Sequence, residues 1–170
     1  NSCKMSFLGK VKKKLRNGSW YPFYNTFYEK NNLDPHMILL ESRSGKALES
    51  NILSLLKELC QEPYRSFTLV LSVHRDSENE IKEKLQKNSI QGVHFVRTGS
   101  VAYYHALSRA GYLVNDTSFP GRFIKKEGQI YLNTWHGTPL KKMGRDNRPE
   151  IVTMGNVQRN LLDSDYLVFP

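Results

Sequence analysis

Cysteine is scarce in this chain of 170 residues, since only Cys3 and Cys60 are present. Two thiols do not make a disulfide framework and their spacing fits no metal motif, so we expect a reducing cytoplasm. No apolar run approaches the roughly 20 residues of a transmembrane helix, and no signal peptide is evident. The sequence also has no internal repeat and no low-complexity tract. These absences, with an apolar content of 39%, indicate a globular domain.

Acidic residues are outnumbered, 16 against 25 lysines and arginines, which gives a formal net charge of +9. Such an excess predicts an anionic partner, either a nucleic acid, a membrane surface or a phosphate-rich substrate, although it also serves simple solubility. The sequence lacks the aromatic and basic sheet motif of RNA-binding domains and shows no zinc or helix-turn-helix pattern. We therefore expect no nucleic-acid partner.

The basic residues are concentrated at the start of the chain. The first 30 residues contain seven lysines and arginines and one acid, Glu29. Apolar residues at 7, 8, 11 and 15 share one helical arc, and six aromatic residues follow between Trp20 and Tyr28. This pattern predicts either an interfacial anchor on an anionic membrane or a helix packed on the domain. We accordingly divide the chain into a basic amphipathic segment or linker, 1–35, and a domain, 36–170.

Strand-like and helix-like segments alternate along residues 36–170. Apolar runs predict strands at 37–41, 66–73, 93–97, 112–115, 130–132 and 166–169. Helical spacing or capping signals predict helices over 48–59, 77–87 and 101–110 and another that opens at Pro149. Among the caps, we expect a capping box at Ser77–Glu80, an N-cap at Ser100 and a helix end at Gly111. The alternation predicts an α/β fold with a doubly wound, mainly parallel sheet of about six strands.

Ligands of such sheets bind beyond the carboxyl ends of the strands, where this chain places polar residues. The loop after the first strand offers Ser42 and Gly45, which we interpret as possible phosphate contacts. His74 ends the second strand and is a minor candidate, whereas His36, His94 and His105 have structural positions. Asp116 ends the fourth strand.

The stretch that follows the fifth strand carries the strongest functional pattern. His136 and Gly137 come shortly after the carboxyl end of the strand. Thr138 followed by Pro139 is typical of a helix start. A histidine beside a helix N-terminus and cations suits phosphate chemistry, with His136 as the general base. Asp116 is a candidate for orienting its imidazole. The candidate phosphate contacts of this stretch are Thr134, Gly137, Thr138, Lys141, Lys142 and Arg145.

The segment Asn133-Thr-Trp-His-Gly-Thr-Pro-Leu-Lys141 resembles the hallmark of the CDP-glycerol glycerophosphotransferases, and the resemblance continues at Asn156–Asn160 and Asp165–Leu167. Members of this family build teichoic acids and related polymers at the cytoplasmic face of bacterial membranes. The resemblance implies transfer of glycerol phosphate from CDP-glycerol to a polyol-phosphate or lipid-linked acceptor, with no cofactor beyond the donor. It leaves open a need for metal, and the cations could hold either the transferring phosphoryl or acceptor phosphates.

The same resemblance implies a GT-B architecture, with the active site between two Rossmann-like halves. This chain would be the acceptor-side half, and CDP-glycerol would bind mainly to a nucleotide-binding half that the sequence does not contain. We therefore expect a piece of a longer protein that is inactive alone. Two alternatives remain, a ribitol phosphate transferase of the same family and a non-catalytic module that binds polyanions or membranes. The pattern does not separate primase from polymerase behaviour.

Overall fold

A single parallel sheet of six strands forms the centre of the molecule. A computed structural model describes residues 21–121, 123–135 and 151–168. The strands are β1 (Asp34–Glu41), β2 (Thr68–Val73), β3 (Val93–Arg97), β4 (Ala110–Asn115), β5 (Ile130–Asn133) and β6 (Tyr166–Leu167). Their order across the sheet is β3-β2-β1-β4-β5-β6, and every neighbouring pair is parallel. The predicted doubly wound α/β fold with about six strands is confirmed.

Five described α-helices accompany the sheet: α1 (Tyr21–Lys30), α2 (Ser50–Leu59), α3 (Glu78–Lys87), α4 (Val101–Arg109) and α5 (Ile151–Asp163). The alternation of side chains along β1 separates two apolar clusters. Ile38 and Leu40 join one cluster, with residues of α2 and α3, while Leu39 joins the other, with residues of α1 and α4. Each such side chain, once fully buried, contributes about 1.5–3 kcal/mol to folding. Both faces of β1 are thus apolar, as in parallel sheets covered on two sides.

The chain changes direction across the sheet at β1. Strands β1, β2 and β3 follow one another outward with α2 and α3 on one face, and α4 then returns over the other face to β4. β1 therefore has β2 on one side and β4 on the other. In open α/β sheets a ligand crevice forms at such a switch point, beyond the carboxyl ends of the two central strands. Here these ends are Glu41 and Asn115, which pair in register.

Three aromatic residues of α1, Tyr24, Phe27 and Tyr28, pack on the domain. Tyr24 is 2% exposed and its ring lies 5.8 Å from that of Tyr104 on α4, while Phe27 meets His105 edge-on at 5.4 Å. The Tyr24 hydroxyl donates a hydrogen bond of 2.9 Å to the carbonyl of Ile124. For the aromatic part of the amphipathic segment, these contacts agree with the predicted alternative of a helix packed on the domain. The basic residues up to 20 lie outside the described residues, and the division at residue 35 stays a prediction.

Two of the predicted helix signals are wrong and one is confirmed. The Ser100 hydroxyl accepts the N–H of Tyr103 at 3.2 Å and caps α4 as predicted. The Ser77 side chain makes no capping bond, because a 3₁₀ turn over Arg75–Ser77 already leads into α3. Gly111 does not end α4 but lies within β4, where a Cβ would come within 2.8 Å of the Asp34 carbonyl oxygen. Glycine is required at position 111 because β1 and β4 pack closely there, and not because a left-handed residue caps the helix.

The described residues of the connection between β4 and β5, 116–121 and 123–129, form no α-helix and pack through aromatic side chains. Phe119 and Phe123 are buried in the same cluster as Tyr131. Asn160 of α5 accepts the Phe119 N–H at 2.8 Å, and Asn156 donates to the Phe119 carbonyl at 2.9 Å. The segment around Asn156–Asn160 thus ties this connection to α5. None of the described helices has the length and hydrophobicity needed to cross a membrane.

Candidate functional site

The loop after β1 is bound to the loop after β4 through one carboxylate. The Ser42 hydroxyl donates to Oδ2 of Asp116 at 2.7 Å, and the Arg43 N–H donates to Oδ1 at 2.8 Å. The Ser42 hydroxyl also accepts the N–H of Glu49 at 3.0 Å. Ser42 and Asp116 are both buried. The two loops therefore form one connected wall directly above the switch point.

Three consecutive left-handed residues shape the first of these loops. Arg43, Ser44 and Gly45 have φ angles of 49°, 54° and 77°. Such angles are uncommon for residues other than glycine, and they recur at functional sites that hold them in place. A Cβ at Gly45 would come within 2.1 Å of Oγ1 of Thr98, while the Gly45 carbonyl accepts the His74 N–H at 2.6 Å. Gly45 thus brings the ends of β1, β2 and β3 together.

The described residues of the hallmark, Asn133, Thr134 and Trp135, lie at the same edge of the sheet. The Thr134 N–H donates to the Asn115 carbonyl at 2.8 Å, and the Trp135 N–H donates to Oδ1 of Asn133 at 2.9 Å. Trp135 is buried and has a φ of 48°. The side-chain amide of Asn51 at the start of α2 donates to the carbonyls of Thr134 and Trp135, at 3.3 Å each. The backbone directly before His136 is therefore fixed from two sides.

A layer of buried polar side chains crosses the sheet beneath these loops. Register places Ser72 of β2 beside Glu41, Glu41 beside Asn115 of β4, and Asn115 beside Asn133 of β5. All four are buried, with at most 1% of their surface exposed. Ser72 shares a hydrogen bond of 2.8 Å with Thr98. We call Ser72, Glu41, Asn115 and Asn133 the polar layer; it separates the apolar core from the crevice.

The Tyr131 hydroxyl and the Thr117 carbonyl supply further hydrogen bonds to this layer. The Tyr131 hydroxyl donates to Oδ1 of Asn115 at 2.9 Å, and Nδ2 of Asn133 donates to the Thr117 carbonyl at 2.9 Å. Burial raises the pKa of Tyr131 above its ordinary value, so its hydroxyl keeps its proton over the physiological range. Tyr131 is thus a permanent donor to the polar layer.

Glu41 is the one ionisable member of the polar layer. Burial raises the pKa of its carboxyl from 4.5 to about 7, the hydroxyls of Ser72 and Tyr103 offset part of this increase, and the charge of Asp116 adds to it. Oε2 of Glu41 and the hydroxyl of Tyr103 are buried without a hydrogen-bond partner of good geometry among the described residues. Near neutral pH the carboxyl can therefore be neutral or charged.

The predicted site residues divide into two groups. His136, Gly137, Thr138, Lys141, Lys142 and Arg145 lie outside the described residues, so their arrangement stays a prediction, as does the orientation of His136 by Asp116. The structure places Ser42, Gly45 and Thr134 at the switch point, where all three are buried and Ser42 is bonded to Asp116. The Ser42 and Thr134 hydroxyls contact protein atoms, the latter the Asn115 carbonyl at 3.4 Å. Phosphate contacts by these residues also stay predictions.

Two residues at this edge were missed from the sequence, Glu41 and Asn51. Glu41 had a readable signal, since an acid that directly follows the apolar run Met37–Leu40 in a strand covered on both faces must be buried. Asn51 had none, because its partners lie 83 and 84 residues away in the chain. His74 is half-buried, with Nδ1 facing the Asp76 N–H at 3.4 Å. Within the described ranges, no group of three or more His, Cys, Asp or Glu side chains could hold a metal ion.

Known proteins are similar to this chain in sequence. A teichoic acid poly(glycerol phosphate) polymerase of Staphylococcus epidermidis is 30% identical over an alignment of 154 positions, which covers 86% of this chain and 20% of that protein. The polymerase of the same description from Bacillus subtilis is 26% identical over 98% of this chain and 23% of its own length. The chain thus spans less than a quarter of these two relatives.

Solved structures agree with these sequence matches. A variant of the wall teichoic acid polymerase TagF soaked with CDPG has a TM-score of 0.68 and 25% identity, over 95% of this chain and 41% of that chain. TagF itself gives a TM-score of 0.63 at 23% identity over the same shares. The family model of the CDP-glycerol:poly(glycerophosphate) glycerophosphotransferases matches residues 23–170. The chain therefore belongs to the CDP-glycerol:poly(glycerophosphate) glycerophosphotransferase family.

Proposed function

We propose that this chain is the acceptor-side half of an enzyme that transfers glycerol phosphate from CDP-glycerol to the terminal hydroxyl of a teichoic-acid-like polymer. The observation that supports this most is that the family's hallmark begins at the switch point of the sheet. Asn133, Thr134 and Trp135 lie there against Asn115 and Asn51, and His136 is the next residue of the sequence. A second half of the enzyme would present the nucleotide across the crevice.

In the proposed reaction His136 is the general base. The acceptor alcohol is a poor nucleophile until its proton is removed, and a neutral imidazole within hydrogen-bond reach can accept that proton. The alcohol oxygen attacks the phosphorus that carries glycerol, a new P–O bond forms, and the bond to CMP breaks. CMP leaves with the electron pair of that bond. Charge on the transferring phosphoryl requires cations or N–H donors, for which Lys141, Lys142 and Arg145 are the candidates.

The described residues contribute positioning to this reaction. A base must be held within a fraction of an ångström of its productive place, and misplacement by about 1 Å can cost a hundredfold in rate. Asn51 and Asn133 hold the strained turn at Trp135, and Asp116 joins the two loops of the crevice. In this proposal Asp116 also orients the imidazole of His136.

The proposed setting is the cytoplasmic face of a bacterial membrane, with peripheral attachment. The acceptor would be a lipid-linked polyol-phosphate polymer, which lies at an anionic surface. The net charge of +9 and the basic residues before position 20 support attraction to such a surface. The supporting relatives act, by their descriptions, in teichoic acid polymerisation.

Substitution of His136 in the full natural-length protein tests the proposal. We expect His136→Ala to reduce CMP release from CDP-glycerol, in the presence of acceptor, by at least about a hundredfold with folding retained. His94→Ala is the matched control, because His94 is exposed on β3, away from the crevice, and its loss should leave turnover unchanged. Unchanged turnover in His136→Ala would contradict the base assignment. A parallel assay with CDP-ribitol decides which polyol phosphate is transferred.

A further inference from the structure

The Glu41 carboxyl has no role in the proton transfer proposed above, yet it lies at the centre of the switch point. It is 1% exposed and pairs in register with Ser72 on one side and Asn115 on the other. Glu41 directly precedes Ser42, which donates to Asp116, and Asn115 directly precedes Asp116. The Glu41 carboxyl therefore belongs to the strand end from which the first loop starts, beside the strand end from which the second loop starts.

No cation balances this carboxyl within the described part of the chain, where none of the ion pairs includes Glu41. The ionisable groups that face it are Asp116 from the loop after β4, Tyr103 from α4 and Tyr131 from β5. β2 presents only the Ser72 hydroxyl to it. Burial raises the pKa of both tyrosines, which therefore stay neutral, so among the described residues the charge that faces Glu41 is the negative charge of Asp116.

The loop that directly follows Glu41 carries two cations, Arg43 and Lys46. Neither of them forms an ion pair with Glu41. Oε2 of Glu41 and the Tyr103 hydroxyl are both buried without a hydrogen-bond partner of good geometry in the described structure, although the Ser72 and Tyr103 hydroxyls are near enough to the carboxyl to lower its pKa. A charged carboxylate in this place would be buried and unpaired, which is costly unless the surroundings open to water. A protonated carboxyl would instead supply one donor to the same network.

We propose that Glu41 is a positioning residue of the transfer reaction, which as a neutral acid keeps the polar layer closed beneath Asp116 and on ionisation loosens both loops of the crevice. The inference rests on the proposed function, because it concerns the activity of that site. Ionisation would also add a second negative charge under a crevice that receives polyanionic substrates. The near-neutral pKa of Glu41, about 7, puts this change within the working range of a cytoplasmic enzyme.

The test is the pH profile of CMP release by the full natural-length protein. For the wild type, kcat/KM should rise as the histidine base loses its proton and then fall about tenfold between about pH 7 and about pH 8.5 as Glu41 ionises. Glu41→Gln keeps the shape and a donor but cannot ionise, so its profile should stay high on the alkaline side. Both phosphates of CDP-glycerol are fully ionised near neutral pH, so the donor itself adds no titration there.

Glu49→Gln is the matched control, since Glu49 is exposed in the segment that follows the same loop and undergoes the same chemical change. Its alkaline limb should match that of the wild type. If Glu41→Gln shows the wild-type fall, or if the wild type shows no fall up to about pH 9, the inference is wrong.

A direct titration separates this inference from the proposed function. Carbon-13 NMR of labelled glutamate carboxyls in the wild-type protein should show one group with a midpoint near 7 that Glu41→Gln lacks. This measurement needs no turnover, and the wild-type part needs no variant to fold. A protein that releases no CMP at any pH contradicts the proposed function, whereas the absence of a glutamate with a near-neutral midpoint contradicts the inference about Glu41.

Discussion

Burial of the Glu41 carboxyl gives stability a pH dependence that an exposed glutamate does not produce. The folded-state pKa of about 7 lies above the ordinary value of 4.5, so the folded protein binds a proton more readily than the unfolded chain. The stability that the protonated Glu41 carboxyl contributes is fully present below about pH 4.5 and is lost as the pH rises to about 7. The loss amounts to about 3 kcal/mol of unfolding free energy.

Glu41→Gln should therefore raise stability relative to the wild type more at pH 8 than at pH 4. We expect the difference in unfolding free energy between the two proteins to change by about 3 kcal/mol over this range, measured by urea unfolding. Glu49→Gln should show no such change, because Glu49 is exposed. A constant difference between Glu41→Gln and the wild type at both pH values would contradict burial of an ionisable carboxyl.

Gly45 and Gly99 form a matched pair for the geometry of the loop after β1. Both have left-handed φ angles, 77° and 74°, but a Cβ at Gly45 meets Thr98 at 2.1 Å, whereas a Cβ at Gly99 meets nothing within 4 Å. Gly99→Ala should cost about 1 kcal/mol of backbone strain alone, and Gly45→Ala about 3 kcal/mol through strain and overpacking together. Thermal unfolding of the two variants measures the difference. Equal costs would mean that Thr98 moves aside without penalty.

Single residues differed in how far the sequence revealed them. The hallmark could be recognised because its residues are contiguous, from Asn133 to Lys141. Trp135 belongs to this segment, and it is buried with a left-handed backbone. The partners of Ser42 could not be predicted, because its bond to Asp116 joins residues 74 positions apart. Pairing of this kind depends on the order of the strands, which a single sequence does not specify.

Elements were predicted well wherever an apolar period continued over several residues. β3 has the predicted bounds, Val93–Arg97, and α3 ends at Lys87 as expected. The errors arose where one residue had two possible uses. Gly111 serves close strand packing instead of ending a helix, and Ser77 ends a 3₁₀ turn instead of capping α3. At Gly111 a tertiary contact overrides the local signal, whereas at Ser77 another local structure, the 3₁₀ turn, replaces the predicted cap.

The start of α2 and the end of β5 are joined by Asn51, whose amide donates to two carbonyls just before His136. Asn51→Asp replaces these donors by a carboxylate, which repels both carbonyl oxygens. We expect kcat of the full natural-length protein to fall about tenfold, with little change in KM for CDP-glycerol, because the position of the base changes and donor binding does not. Steady-state CMP release measures both constants.

Asn79→Asp is the control for this element-scale prediction. Asn79 is exposed on α3 and its substitution adds the same charge outside the crevice. Its kcat should equal that of the wild type. A tenfold fall in both variants would point to a general effect of charge, and an unchanged kcat in Asn51→Asp would show that the amide does not position the hallmark turn.

At the scale of the whole molecule, α1 is part of the packed domain. Tyr24 fills the core beside Tyr28 and Tyr104, with ring centroids 6.3 and 5.8 Å away. We expect Tyr24→Ala to lower the unfolding free energy by about 3–5 kcal/mol, while Tyr24→Phe, which loses only the two hydrogen bonds of the hydroxyl to the Ile124 backbone, costs about 1 kcal/mol. Chemical unfolding measures both variants. A loss below 1 kcal/mol in Tyr24→Ala would place the tyrosine outside the core.

The packing of Tyr24 also decides how membrane attachment must be tested. Deletion of residues 1–30 would remove core contacts together with the basic residues, so a loss of vesicle binding could reflect unfolding. Replacement of Lys12, Lys13 and Lys14 by glutamine changes charge alone. Each lysine near an anionic surface contributes about 1 kcal/mol, so binding to vesicles containing phosphatidylglycerol should weaken about a hundredfold at low salt. The triple replacement should leave the unfolding midpoint in place, and unchanged vesicle binding would contradict an electrostatic role for this segment.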